Sequence, residues 1–250
     1  MNRPDYLNSD KPQSVTSVAS ADSYKDATAN HSEYATGSRP EYAVDGAKVL
    51  RNTYALLAMT LIFSAGTAAL SMAFNLPHPG IIITLVGFYG LLFAIEKTKN
   101  SGMGIVLTFA LTGFMGLTLG PIVSMYAKLP GGTATIATAL GLTGLIFVAM
   151  SGWVLSTGKD LSNMGKTLMV GILVAFGLGI ANIFIGLPMI SLAVSAMFIV
   201  LMSGMIAYQT SAILHGGETN YISATVTLYV SIYNLFLSLL QILGIMGSDD

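Results

Sequence analysis

The chain contains no cysteine, a single tryptophan and very little charge. Without cysteine there are no disulfides, thiolate metal sites or cysteine nucleophiles. Charged residues make up 9% of the 250 positions, against about 25% in a soluble globular domain. The basic residues form no block that would suit a nucleic acid, and a net charge of −1 selects no class of partner. His31, His78 and His215 are the only histidines, and only His215 stands at the edge of an apolar run. A serine hydrolase working inside a membrane needs a serine–histidine pair there. Ser151-Gly152 and Ser203-Gly204 have no such partner, so the chain reads as a non-enzyme without catalytic residues. No phosphate loop, dinucleotide fingerprint or metal-ligand cluster is present, which leaves no cofactor to expect.

Ionisable residues are also missing from the middle of every apolar run. Glu96, His215 and Glu218 lie at run ends. Proton relays and ion pumps place such groups within the membrane, so this distribution weighs against an ion-coupled transporter. A histidine beside a helix carboxyl terminus is favoured by the helix dipole, and His215 therefore reads as structural rather than as a pH switch.

What the chain has is hydrocarbon: 53% of it is hydrophobic, in runs long enough to cross a bilayer. The expected spans are 53–75, 81–95, 102–126, 133–157, 167–186, 189–214 and 221–245. Turns rich in proline and glycine separate several of them, as at Leu76-Pro77-His78-Pro79-Gly80 and Lys128-Leu129-Pro130-Gly131-Gly132. Gly216 and Gly217 stop the sixth helix, and Thr219 or Asn220 can cap the seventh. In the third span, Gly116 and Gly120 form a small-residue contact motif. Gly120-Pro121 is expected to kink or unwind that helix near its end. The fold class is thus an all-α membrane protein of seven transmembrane helices.

Orientation follows from lysine and arginine. Arg3, Lys11, Lys25, Arg39, Lys48 and Arg51 precede the first span, Lys97 and Lys99 follow the second, and Lys159 and Lys166 follow the fourth. Only Lys128 falls on the opposite side. The positive-inside rule places the amino terminus in the cytoplasm and the carboxyl terminus outside. Residues 1–46 are polar, with no apolar run, and are expected to be a disordered cytoplasmic tail ahead of a seven-helix domain, 47–250. The tail reads either as a passive solvated segment or as a handle that an unfolding machine can grip.

The last span organises the rest. Ser223, Thr227, Ser231, Asn234, Ser238 and Gln241 follow at steps of 4, 4, 3, 4 and 3, which puts them on one helix face. Lipid offers such a face no partner, so it should point at protein or water. The helix is expected at the centre of the bundle, its face serving as a packing seam or as a hydrated or ligand-lined surface. Gln209, near the end of the sixth span, is a further polar candidate.

Lys48-Val49-Leu50-Arg51-Asn52-Thr53-Tyr54, Leu119-Gly120-Pro121-Ile122, His215-Gly216-Gly217-Glu218-Thr219-Asn220-Tyr221-Ile222 and Leu228-Tyr229-Val230-Ser231-Ile232-Tyr233-Asn234-Leu235-Phe236 resemble the Bax inhibitor family. The likeness runs over about residues 47–247 and is nearest to the bacterial members that modulate the membrane AAA protease FtsH. The resemblance implies a bacterial inner-membrane protein whose last helix is surrounded by the other six. It implies association with FtsH, within its complex with HflK and HflC, slowed degradation of membrane substrates, and a tail that lets the protease begin its pull. Other family members act as pH-sensitive calcium leak channels, sensed by paired aspartates on the last two helices. Those positions match Gln209 and Ser231, neither of which ionises, and the alternative of a passive calcium or cation leak channel is weakened accordingly.

Overall fold

The computed structural model describes residues 41–247, and residues 1–40 of the expected tail lie outside the described part. The helices are α1 (Glu41–Ala73), α2 (Ile81–Thr98), α3 (Gly102–Ala127), α4 (Gly132–Thr157), α5 (Gly165–Ile185), α6 (Pro188–Leu214) and α7 (Tyr221–Met246). A short 3-10 turn, Ser162–Met164, precedes α5, and no strand occurs among the described residues. Among the described residues, seven segments are long and apolar enough to cross a membrane. They fall within a few residues of the expected spans except at the first helix. There α1 begins at Glu41, so Lys48 and Arg51 lie inside it rather than ahead of it.

Helix ends follow local chemistry. Gly158 closes α4 in the left-handed region at φ 61°, and its N–H returns to the Val154 carbonyl. Asn220 caps α7: its side-chain oxygen accepts from the N–H groups of Ile222 and Ser223 at 3.0 and 3.1 Å. Thr219 does not fill that role because Asn220 occupies the extended residue directly before the helix.

The helices form two groups of three around α7. In the first group α3 packs along α1 and α2, and in the second α6 packs along α4 and α5. α7 lies between the groups, in contact with α1, α3, α4 and α6, which makes the last helix central. Its Ala224, Leu228, Leu235 and Leu240 are fully buried. Association in lipid relies on close van der Waals packing and hydrogen bonds rather than on expulsion of water. The α1–α3 contact shows this directly: a side chain at Gly116 would collide with Thr67 Oγ1 and the Ser64 carbonyl. One at Gly120 would run into Ser71 and the Ala68 carbonyl.

Of the kink or unwinding expected at Gly120-Pro121, the unwinding is absent, because α3 stays helical through both residues. Pro121 has no N–H to give the Leu117 carbonyl one turn earlier. Ser71 of α1 supplies the missing donor, its hydroxyl reaching Leu117 O at 2.9 Å. The small residues that let α1 approach also bring this hydroxyl into range.

Candidate functional site

α7 projects its polar face as the spacing predicts, but three of those six groups bond to their own helix. Thr227 Oγ1 donates to Ser223 O at 3.1 Å, Ser231 Oγ to Thr227 O at 2.8 Å and Asn234 Nδ2 to Val230 O at 2.8 Å. Ser231 and Ser238 are buried, whereas Thr227, Asn234 and Gln241 are partly exposed. Gln241 instead ties α7 to α6, its Oε1 accepting from Ser195 Oγ at 2.7 Å.

Two lateral grooves of about 440 Å³ each flank α7, one where α2 faces α5 and one where α1 faces α4. They exist because neither of these helix pairs packs along its length. Thr227, Ser231 and Asn234 form the floor of the first groove, whose walls are largely apolar. In the second, Tyr229 is the polar centre: its hydroxyl lies 2.6 Å from Ser64 Oγ and donates to Thr112 O at 3.3 Å. Tyr233 OH lies 3.3 Å from Thr118 Oγ1. These bonds join α7 to α1 and α3 through the middle of the bundle.

Gln209 lines neither groove. It is 5% exposed, and its Nε2 has no hydrogen-bond partner among the described residues. The adjacent Thr210 is well bonded, to Ile206 O at 2.9 Å and within reach of Tyr54 OH and Ser151 Oγ at 3.2 and 3.3 Å. No hydrogen bond joins Gln209 to Ser231 among the described residues, so the two positions matched to the family's aspartates are not paired.

The loops at one end are tied together through α6, α7 and the segment between them. Asn220 Nδ2 donates to Lys99 O at 3.1 Å and to Asn100 Oδ1 at 2.8 Å, reaching the α2–α3 loop. Ser211 Oγ accepts from Leu161 N at 2.9 Å and donates to Lys159 O at 3.1 Å. His215 Nδ1 faces Ser211 O at 2.9 Å and Nε2 faces Gly158 O at 3.1 Å. A carbonyl only accepts, so both contacts are hydrogen bonds when both ring nitrogens carry protons. Gly216, at φ 75°, supplies the turn in this linker, and Gly217 follows it against Ala212.

Two groups outside the spans are perturbed. The hydrogen bond to Glu96 raises the Lys99 ammonium above its ordinary range. The Ser162 N–H, 2.8 Å from Asp160 Oδ1, holds the Asp160 carboxyl below its usual range, and His215 adds to the effect. No group of three or more His, Cys, Asp or Glu side chains able to hold a metal occurs among the described residues.

The sequence reading missed a second polar stripe. Thr53, Thr60, Ser64 and Ser71 are all buried on α1, at spacings of 7, 4 and 7 that place them on one face. The period was visible, but the residues are diluted among Ala and Leu. Ser64 and Ser71 from this stripe make the contacts to Tyr229 and Leu117.

A family model described as "Inhibitor of apoptosis-promoting Bax1" matches residues 46–248. The chain is 55% identical over 202 residues to the Escherichia coli K12 protein named "Modulator of FtsH protease YccA", covering 81% of this chain and 92% of that one. Equal identity and coverage hold for the E. coli O6:H1 protein named "Inner membrane protein YccA". A Vibrio cholerae membrane protein is 43% identical over 211 residues, covering 84% of this chain and 95% of its own. Seven spanning helices and these relatives make this a multi-pass inner-membrane protein. The chain belongs to the Bax inhibitor family.

Proposed function

We propose that this protein is a non-catalytic modulator of the membrane protease FtsH, which it binds, slowing the degradation of other membrane substrates. The observation that carries the reading is the 55% identity to a named FtsH modulator over 202 residues, 81% of this chain. HflK and HflC, as part of the FtsH assembly, are the further partners. The amino terminus lies in the cytoplasm, where FtsH can grip residues 1–46 as a handle. The basic loop ends support that orientation, because Lys97, Lys99, Lys159 and Lys166 share one end of the bundle.

A tightly packed bundle supports the modulator reading physically. A protease that extracts membrane helices must break the Ser71–Leu117 link within the first group and the Ser64–Tyr229 and Ser195–Gln241 links that tie α7 to the two groups. A substrate that begins to enter but resists extraction occupies the enzyme. The alternative, a passive calcium or cation leak, has less support. Gln209 and Ser231 carry no charge and are not paired, and the hydroxyls of Thr227 and Ser231 already bond to their own helix.

The handle is tested by following the lifetime of the protein in cells with active FtsH, with and without residues 1–40. The truncated form should be long-lived and still co-purify with FtsH. Equal lifetimes for the two forms would exclude the tail as handle.

A further inference from the structure

One side chain at the basic end is bonded in a way that only one of its charge states allows. Gly158 closes α4 and His215 closes α6, and the two helix ends meet through the His215 ring. Nδ1 is 2.9 Å from the Ser211 carbonyl of its own helix, and Nε2 is 3.1 Å from the Gly158 carbonyl, 57 residues away in sequence. Helix carboxyl ends carry partial negative charge, so both carbonyls suit a cation. α6 holds the same loop through Ser211, one turn earlier. That hydroxyl accepts from Leu161 N at 2.9 Å and donates to Lys159 O at 3.1 Å. Gly158 O, Lys159 O and Leu161 N are therefore all held by one turn of α6. Of the groups in this set, the histidine ring alone is of a type that titrates near neutrality.

Neither neutral form of the ring keeps these bonds. A neutral imidazole carries one N–H. With the proton on Nδ1, Gly158 O loses its donor. With the proton on Nε2, a bare Nδ1 faces the Ser211 carbonyl. The Ser211 hydroxyl, 3.4 Å from Nδ1, can turn to it only by leaving Lys159 O. Each neutral form thus costs the loop a bond or leaves two lone pairs opposed.

We infer that His215 is a proton-dependent latch on the α4–α5 loop, holding it to the end of α6 when the ring is doubly protonated and loosening it when the ring is neutral. The latch does not depend on what the protein binds. The charged and titratable groups on the surrounding elements are Lys159 and Asp160 on the loop, Lys166 on α5, Tyr208 on α6, Glu218 on the linker to α7 and Lys48 on α1. Carboxylate, ammonium and phenol groups ordinarily keep their charge between about pH 5 and 8, where histidine does not. Asp160, whose carboxyl His215 helps to hold below its usual range, stays ionised through this window and does not supply the change. His215 is exposed, so water replaces the lost bond in part and the effect is a few-fold loosening rather than release.

The test uses the full chain in nanodiscs. Amide exchange of residues 158–164 is followed by mass spectrometry at about pH 5 and about pH 8, the two ends of the histidine range, each rate being divided by the unprotected rate at the same pH. Protection should be about threefold greater at the lower pH, the scale of one hydrogen bond near water. Residues 127–132, at the opposite end of the bundle, should show no such change. H215Q, which has no proton to lose, should give the lower protection at both pH values with its helical circular dichroism unchanged, and Asp160→Asn should keep the dependence. In protein labelled with nitrogen-15 histidine, the signal that H215Q removes should report two protonated ring nitrogens at the lower pH and one at the higher. Equal protection of 158–164 at the two pH values in the intact protein would overturn the latch. So would a pH dependence that persists in H215Q or vanishes in Asp160→Asn, or a neutral His215 ring at the lower pH.

Discussion

Ser71→Ala isolates the contact that keeps α3 helical at its proline. Ser71 is 1% exposed, and its hydroxyl is 2.9 Å from the Leu117 carbonyl. Pro121 cannot serve that carbonyl, and lipid supplies no donor. Removing the hydroxyl leaves an unsatisfied acceptor, which costs about 1–3 kcal/mol when buried. Hydrogen bonds between membrane helices average nearer ~0.6 kcal/mol, with a ceiling of ~1.7, because the unfolded chain also finds partners. The expected loss is therefore about 1–2 kcal/mol, towards the upper end for this class, since Pro121 gives the Leu117 carbonyl no N–H. Pro121→Ala provides the control by restoring an N–H to Leu117. In that background Ser71→Ala should cost at most a few tenths of a kcal/mol, giving a coupling of about 1 kcal/mol in a double-mutant cycle. Reversible unfolding in mixed micelles, followed by circular dichroism, measures both. An equal loss in the two backgrounds would refute the idea that Ser71 acts for the missing proline donor.

Three further outcomes follow from the loops and the buried amide. Asn220→Ala removes the α7 cap and both links to the α2–α3 loop; it should cost about 1–2 kcal/mol in the same unfolding assay, and cleavage of that loop by added protease should quicken. Gln209→Leu removes a buried amide whose Nε2 has no partner, so stability should be unchanged or higher, whereas a loss above about 1 kcal/mol would mean the amide is bonded. Asp160 has a depressed folded-state pKa, so its contribution is present above its unfolded value of 3.8 and is lost as pH falls through the lower folded value. Asp160→Asn should therefore lower stability at neutral pH and flatten the acid limb of the stability profile below about pH 4.

Much of the fold was legible in the sequence because the apolar runs are long and several are punctuated by proline and glycine. The start of α1 was not, since the stretch from Glu41 to Gly46 holds two carboxylates and a glycine and is too short an apolar stretch to carry a membrane signal, yet it is helical and continuous with the span. The α7 stripe was readable from spacing alone. Its chemical state was not, because spacing does not reveal that Thr227 and Ser231 bond to carbonyls four residues back. The partner of Pro121 was equally hidden: Ser71 lies 46 residues from Leu117 and meets it only through the glycine-lined approach of α1 to α3. Gln209 and Ser231 match a paired site by motif, but Ser231 turns its hydroxyl back to the Thr227 carbonyl and no hydrogen bond joins it to Gln209 among the described residues.

The central claim is that this bundle restrains FtsH. The most direct measurement is the rate at which FtsH degrades another membrane protein in native membranes, with this protein absent, present intact, or present without residues 1–40. Degradation should be slower in the presence of either form, more so with the truncated one, and FtsH should be recovered with both. An unchanged rate, with no FtsH recovered, would contradict it.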